Sequence, residues 1–278
     1  MATPNHHGLI YDMPEHEYHA HPALSQSGMK RILDCPARYR WEQDNPPAPK
    51  DHFDLGAVAH GLILGTGPEI EVIHHPNRMT NAAKDAIKAA REAGKVPILE
   101  KDYAAAEAIG KAVQNHPLAS AFLALDGHSE VSAFWEDPDT GVQLRGRYDK
   151  LVTMPDGRAC ILDVKTTGQT AEPEAFMRQA AGFGYHLQLA NYVDGHREIT
   201  GEEPLFLFIV VETKDPHLVS VIAPDEEALA TGRARVADAI ATYQQCTASN
   251  EWFSYTETAA AVGTLPRWAV YEADREDY

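Results

Sequence analysis

The sequence predicts an α/β fold, a mixed central sheet flanked by helices, with an added helical region at its N-terminal end. Three observations carry this expectation. Ala-rich amphipathic segments fill much of the first half, the main β region begins at Glu130, and two of its apolar β-prone runs flank Pro155-Asp156-Gly157, a strong hairpin signal.

In chain order, Gly8 to Leu24 is rich in His, Pro and Glu and reads as extended. Ser25 or Ser27 caps a short helix from Gly28 to Asp34, which stops ahead of Pro36, and Ala37 to Trp41 adds a further turn. The prolines of Asn45 to Lys50 make that stretch a loop. Asp54 to Leu64 is a helix with Leu55, Val58, Ala59, Leu62 and Ile63 on one stripe, and it carries His60. Glu69 to His74 alternates like a strand, and Asn81 to Ala93 and Lys101 to Asn115 are helical. The sheet then takes Glu130 to Trp135, Leu144 to Met154, Arg158 to Val164, the almost wholly apolar Leu205 to Glu212, and Leu218 to Ile222. Glu172 to Gln179, Tyr185 to Ile199 and Asp225 to Cys246 are helices. The end from Ala248 reads as a loop with Trp252, Tyr255, Leu265 and Trp268 as anchors and an acidic last turn.

Composition narrows the classes. The chain has 278 residues, 44% of them hydrophobic, which is ample for a core. No apolar run reaches about 18 residues, so no membrane span is expected, and no signal peptide opens the sequence; a cytoplasmic protein is the expectation. Three cysteines, Cys35, Cys160 and Cys246, lie far apart, which argues against an iron–sulfur cluster, a structural zinc site or a disulfide framework. The net charge of −17 confines any contact with nucleic acid to a local basic patch.

Within the hairpin, Asp163 and Lys165 are two apart on a strand and project to one side, with Val164 pointing the other way. Whether Asp149 joins them depends on the pairing register, which the sequence leaves open. Two carboxylates and an ammonium at a strand end suit Mg²⁺ or Mn²⁺ and phosphate chemistry, although a lone Asp-x-Lys is more often a surface ion pair. Four residues separate Gln188 from Tyr192, which places both on one helical face.

The ordered set Gly56-x-x-x-His60, Asp149, Asp163-x-Lys165 and Gln188-x-x-x-Tyr192 resembles the signature of the PD-(D/E)xK nuclease superfamily, whose fold is restriction-endonuclease-like. Within its RecB-like branch, further stretches resemble the RecE-type (exonuclease VIII) nuclease domain and its phage and prophage relatives. These are Leu24-Ser25-x-Ser27 with Cys35-Pro36-Ala37, Gly146-Arg147-Tyr148-Asp149, Leu162 to Thr167, Tyr185-His186-Leu187-Gln188, and Trp252 to Tyr255. The clustered cysteines of the iron–sulfur nucleases and the long N-terminal extension of RecE are absent.

The resemblance implies one nuclease domain over 1–278, with a mainly helical region 1–125 contributing His60, a catalytic α/β core 126–223, and a C-terminal helix and tail 224–278. It implies that His60, Asp149, Asp163 and the carbonyl of Val164 bind one or two Mg²⁺ or Mn²⁺ ions. Lys165 would stand beside the attacking water, and Gln188 and Tyr192 would position the phosphate or nucleophile. Glu130 is a candidate accessory acid. Arg147 foremost, then Arg145, Lys30, Arg31 and Arg178, are the basic groups nearest the motifs and candidates for DNA contact. The activity implied is 5′ to 3′ degradation of one strand from a double-stranded DNA end, leaving a 3′ tail for recombination. A homo-oligomeric ring such as a tetramer and a single-strand-annealing recombinase as partner are implied as well. The rival readings are a structure-specific or single-strand endonuclease of the same superfamily, and a non-catalytic acidic protein that mimics DNA.

Overall fold

A computed structural model describes residues 6–45, 55–67, 69–256 and 258–267. The segment expected to be extended holds three short elements, β1 (Gly8–Ile10), α1 (Glu15–Ala20) and β2 (Leu24–Ser25). Six residues with one buried side chain, Tyr18, give α1 too little periodicity to read, while Glu15 and Glu17 suit the positive end of its dipole. The side chain of Ser25 accepts the Gly28 amide, which makes Ser25 the cap of α2 (Gln26–Asp34). α3 (Pro36–Asp44) is a full helix and not a single turn, because Pro36 at its first position forfeits no hydrogen bond. Residues 46–50 of the proline loop, and Asp54, lie outside the described residues. α4 (Leu55–Leu64) carries His60 and stops at Gly65, whose φ of +69° ends the helix.

β3 (Ile70–Ile73), α5 (Asn81–Glu92) and β4 (Val96–Leu99) form a separate two-stranded parallel sheet with its crossover helix. The sequence hid β4 because Pro97 lies inside four residues, a placement tolerated on an edge. α6 (Glu100–Asn115) is followed by α7 (Pro117–Leu123), which was also unexpected. Pro117 reads as a stop, yet His116 caps the new helix by accepting the Ala119 amide at 3.2 Å, with Pro117 at its first position.

The remaining elements are β5 (Gly127–Glu136), β6 (Gln143–Thr153), β7 (Ala159–Thr167), α8 (Pro173–Phe183), α9 (Tyr185–Thr200), β8 (Leu205–Glu212), β9 (Val219–Ile222) and α10 (Glu226–Ser249). The main sheet has seven strands in the order β1-β5-β6-β7-β8-β9, with β2 also against β6. Its pairs are antiparallel except β7 with β8 and β2 with β6. β8 is paired on both sides, as its apolar run predicts. β1 and β2 join this sheet from the region expected to be mainly helical.

Helices cover both faces. On one, Met29, Ile32 and Tyr39 from α2 and α3 pack with Phe176, Leu187, Tyr192 and Ile240 from α8, α9 and α10 on Val131, Tyr148, Ile161 and Phe208. On the other, Ala59, Ile63, Ile109 and Ala119 from α4, α6 and α7 pack on Val152, Leu162, Val164 and Ile209. Near the C-terminus Trp252 stacks on Tyr39 with ring centroids 5.8 Å apart. Tyr255 and Leu265 are not anchors, being 63% and 73% exposed. Trp268 and the acidic last turn lie outside the described residues.

Candidate functional site

The site lies where β6 parts from β7. The hairpin ladder runs from Thr153 opposite Ala159 to Lys150 opposite Leu162 and ends there. Beyond that point β7 stays with β8 out to Thr167, while β6 takes β2 as its neighbour at Leu144 and Arg145. The strands therefore fork, with Asp149 at the base of the fork. On its other side the β5 ladder pairs Ser129 with Lys150 and Val131 with Tyr148 and skips Glu130 and Asp149. Glu130 has a φ of +56°, a conformation that L residues seldom adopt in a strand.

This break changes which way the side chains point. Tyr148 lies in the core under α9 and Val152 in the core under α4, whereas regular alternation would put both on one face. Strand β5 slips likewise, since Val131 faces α9 while the Ser129 hydroxyl donates to the Leu64 carbonyl of α4 at 3.3 Å. Glu130 and Asp149 thus sit at a point reached by helices from both layers.

From one layer, α4 brings His60, whose Nε2 meets Asp149 Oδ2 at 2.9 Å and whose Nδ1 lies 3.9 Å from Glu130 Oε1. The Val164 amide donates to Asp149 Oδ2 at 2.7 Å, in place of a ladder partner. From the other layer, α9 brings Gln188, whose Nε2 donates to Asp163 Oδ1 at 2.6 Å. Asp163 is fully buried, and Lys165 Nζ stands 2.5 Å from its Oδ2 as an ion pair without hydrogen-bond alignment. The Tyr192 hydroxyl bonds with Gln188, and its ring fills the space over Gly146, where a Cβ would come within 2.9 Å of it. All four side chains fall where the strand and helix periods predict, and the fork places Asp149 beside them.

The two carboxyl groups titrate apart. Burial raises Asp163 to about 6, against the pull of Lys165 and aided by the charge of Asp149. Burial also pushes Asp149 up, but His60, Lys165 and the Val164 amide outweigh it and hold that carboxyl below the usual range. Burial disfavours the charged forms of His60 and Lys165, yet the facing carboxylates outweigh it and raise both.

Among the described residues no three His, Cys, Asp or Glu side chains converge as a metal-binding group. The groups stand in pairs, His60 with Asp149 and Asp163 with Lys165. The donor chemistry nonetheless fits a hard divalent cation. Asp163 Oδ2 is a buried acceptor lacking an aligned donor. His60 and Asp149, hydrogen-bonded to each other at 2.9 Å, are both ligand types that Mg²⁺ or Mn²⁺ would accept.

The basic candidates separate. Arg147 is turned inward, with Nε 2.8 Å from Glu130 and Nη1 donating to the Met13 carbonyl and Ser132. Arg145 donates to the Tyr18 and His19 carbonyls beside the Tyr18 ring. Arg31 pairs with Glu42 at 3.1 Å, Arg178 is exposed on α8, and Lys30 faces the site. Sequence reasoning gave no role to Tyr185, whose ring lies under both Lys165 and Lys30. Its place three residues before Gln188, on the same helical face, was the available signal.

Residues 25–263 match the family described as PDDEXK-like domain of unknown function (DUF3799). The chain belongs to this PDDEXK-like family. A crystal structure from Eubacterium rectale, provisionally described as an exonuclease, is similar at a TM-score of 0.58 and 13% identity, covering 94% of this chain and 98% of that one. At that identity the likeness shows the PDDEXK-like fold alone. The solved structure of SSO0001 reaches a TM-score of only 0.31 at 12% identity, covering 78% of this chain and 84% of that one, and carries no argument. No curated protein matches the chain.

Proposed function

We propose that this chain is a divalent-metal-dependent nuclease that hydrolyses phosphodiester bonds in linear duplex DNA from the 5′ end, leaving 3′ tails for recombination. The observation that carries the chemistry is the buried Asp163, gripped by Lys165 and Gln188 at a fork that also holds Asp149 and His60. A structural scaffold gains nothing from two carboxylates crowded out of water, whereas a hydrolytic centre needs them. Membership in a PDDEXK-like family and the fold shared with the Eubacterium rectale protein support it.

His60, Asp149, Asp163 and the Val164 carbonyl are the groups that would hold Mg²⁺ or Mn²⁺, one or two ions. When bound, the cation polarises a phosphoryl oxygen and lowers the pKa of a coordinated water. Lys165 donates protons at the same point and favours the charge that develops on the phosphate. Gln188 holds the Asp163 carboxylate in one rotamer and is itself held by Tyr192, so the pair is a positioning device. Arg147 fixes Glu130, the accessory acid, against His60. Polarity, the annealing partner and the ring assembly rest on the likeness to RecE-type nucleases.

Duplexes labelled at the 5′ or the 3′ end, incubated with Mg²⁺ or Mn²⁺, test this reading. Asp163→Asn and Lys165→Met should each lower nucleotide release by on the order of 10³-fold or more, with the circular dichroism spectrum unchanged. Wild-type turnover in both variants would overturn the assignment. Cutting of covalently closed circles would replace the exonuclease with an endonuclease.

A further inference from the structure

In a chain of net charge −17, one positive group beside the site forms no ion pair among the described residues. Lys30 projects from the middle of α2, and among the described residues no carboxylate lies within ion-pair reach of it. Its Nζ stands 5.3 Å from the centroid of the Tyr185 ring, and Lys165 Nζ stands 4.8 Å from the same centroid. Two ammonium groups therefore share one aromatic ring, and of the two only Lys165 forms an ion pair, with Asp163.

The arrangement is held in place. The stem of Lys30 crosses Gly184, where a Cβ would come within 3.3 Å of Lys30 Cδ. Gly184 has a φ of +68° at the junction of α8 and α9, a backbone conformation that itself favours glycine. α2 is carried into the fork by β2, which takes the side of β6 that β7 has left. The architecture that opens the site thus also delivers Lys30 to it. Burial, with Lys165 adding to the effect and Asp163 opposing it, lowers Lys30 to about 8.

We propose that Lys30 is a phosphate-binding residue of the site, and that the missing counter-ion is a backbone phosphate of the DNA strand being cut. This rests on the nuclease reading above. Lys165 is tied to Asp163, so Lys30 is the ammonium free to bond a non-bridging phosphate oxygen, and Tyr185 keeps it from folding away. It also explains how so acidic a chain grips a polyanion, since the contact is confined to the spot where Lys30 joins Lys165 over the Tyr185 ring.

Fluorescence anisotropy of a labelled blunt-ended duplex, with metal-free protein over a series of NaCl concentrations, tests this. Lys30→Met should bind about ten-fold more weakly, and the slope of log affinity against log salt should shrink by about one. Lys30→Arg should retain most of the affinity. Lys88→Met, at an exposed position of α5, changes net charge equally and should bind as wild type. Lys30→Gln serves as a second truncation, and thermal melting verifies that both truncated variants are folded. Wild-type affinity and slope in folded Lys30→Met or Lys30→Gln would overturn the proposal while leaving the nuclease reading intact. A wild-type chain that neither binds nor cuts duplex would overturn both.

Discussion

The Asp163 carboxyl is raised to about 6 by burial, the Asp149 charge adding to the rise and Lys165 opposing it, from an ordinary value near 3.8. Between those values the folded protein holds a proton that the unfolded chain has released, so this residue stabilises the fold more as pH falls from about 7 towards 4. Asp163→Asn removes the buried charge but also takes the counter-ion from Lys165, so the pH trend is what reports on this carboxyl. The melting temperature of metal-free Asp163→Asn relative to wild type is expected to fall as pH drops from 7.5 to 5; a difference that stays constant over that range would contradict the reading. Asp163 and Lys165 were legible because strand alternation is local. Asp149 was not, since its orientation depends on a slip in two neighbouring ladders that no short-range pattern encodes. The inward pairing of Arg147 was hidden for a related reason: its partner Glu130 is 17 residues away in sequence.

α9 carries Gln188 and Tyr192, and its seating depends on glycine. At Gly195 a Cβ would come within 2.6 Å of the Trp135 ring, which is only 3% exposed and has nowhere to go. Gly195→Ala should cost about 1–3 kcal/mol through overpacking, offset by up to about 1 kcal/mol of helix propensity. Net destabilisation in urea, with altered Trp emission and reduced nuclease rate, is the expected outcome. Gly182→Ala, in open space on α8, should be neutral or stabilising, and the pair of variants separates packing from propensity. The long elements were legible from their periods, including the boundaries of β6, β7 and α9 within a residue or a few. α1, β4 and α7 were not, because they are short and each contains or follows a proline that reads as a breaker.

The whole molecule adds a constraint that no single element shows. If protomers of charge −17 associate in a ring around DNA, they repel one another, and salt screens that repulsion. Sedimentation equilibrium is therefore expected to give a mass above the 30.6 kDa protomer, with the assembled fraction growing from low to moderate salt while DNA affinity falls. A monomer at every salt concentration would remove the ring. The three-layer arrangement was readable from the alternation of helical and β-prone stretches, but the fork was not, since it depends on β2, a two-residue strand more than 100 residues before its partner.

The amide of Val164 has a side chain as its acceptor where its neighbours have a backbone carbonyl. Its protection against exchange with solvent deuterium is thus linked to the charge on Asp149. Whatever draws on that carboxylate, a proton or a cation, weakens the bond and exposes one identifiable amide at the centre of the sheet. A single backbone proton therefore serves as a built-in gauge of what occupies the fork, readable without any turnover of substrate.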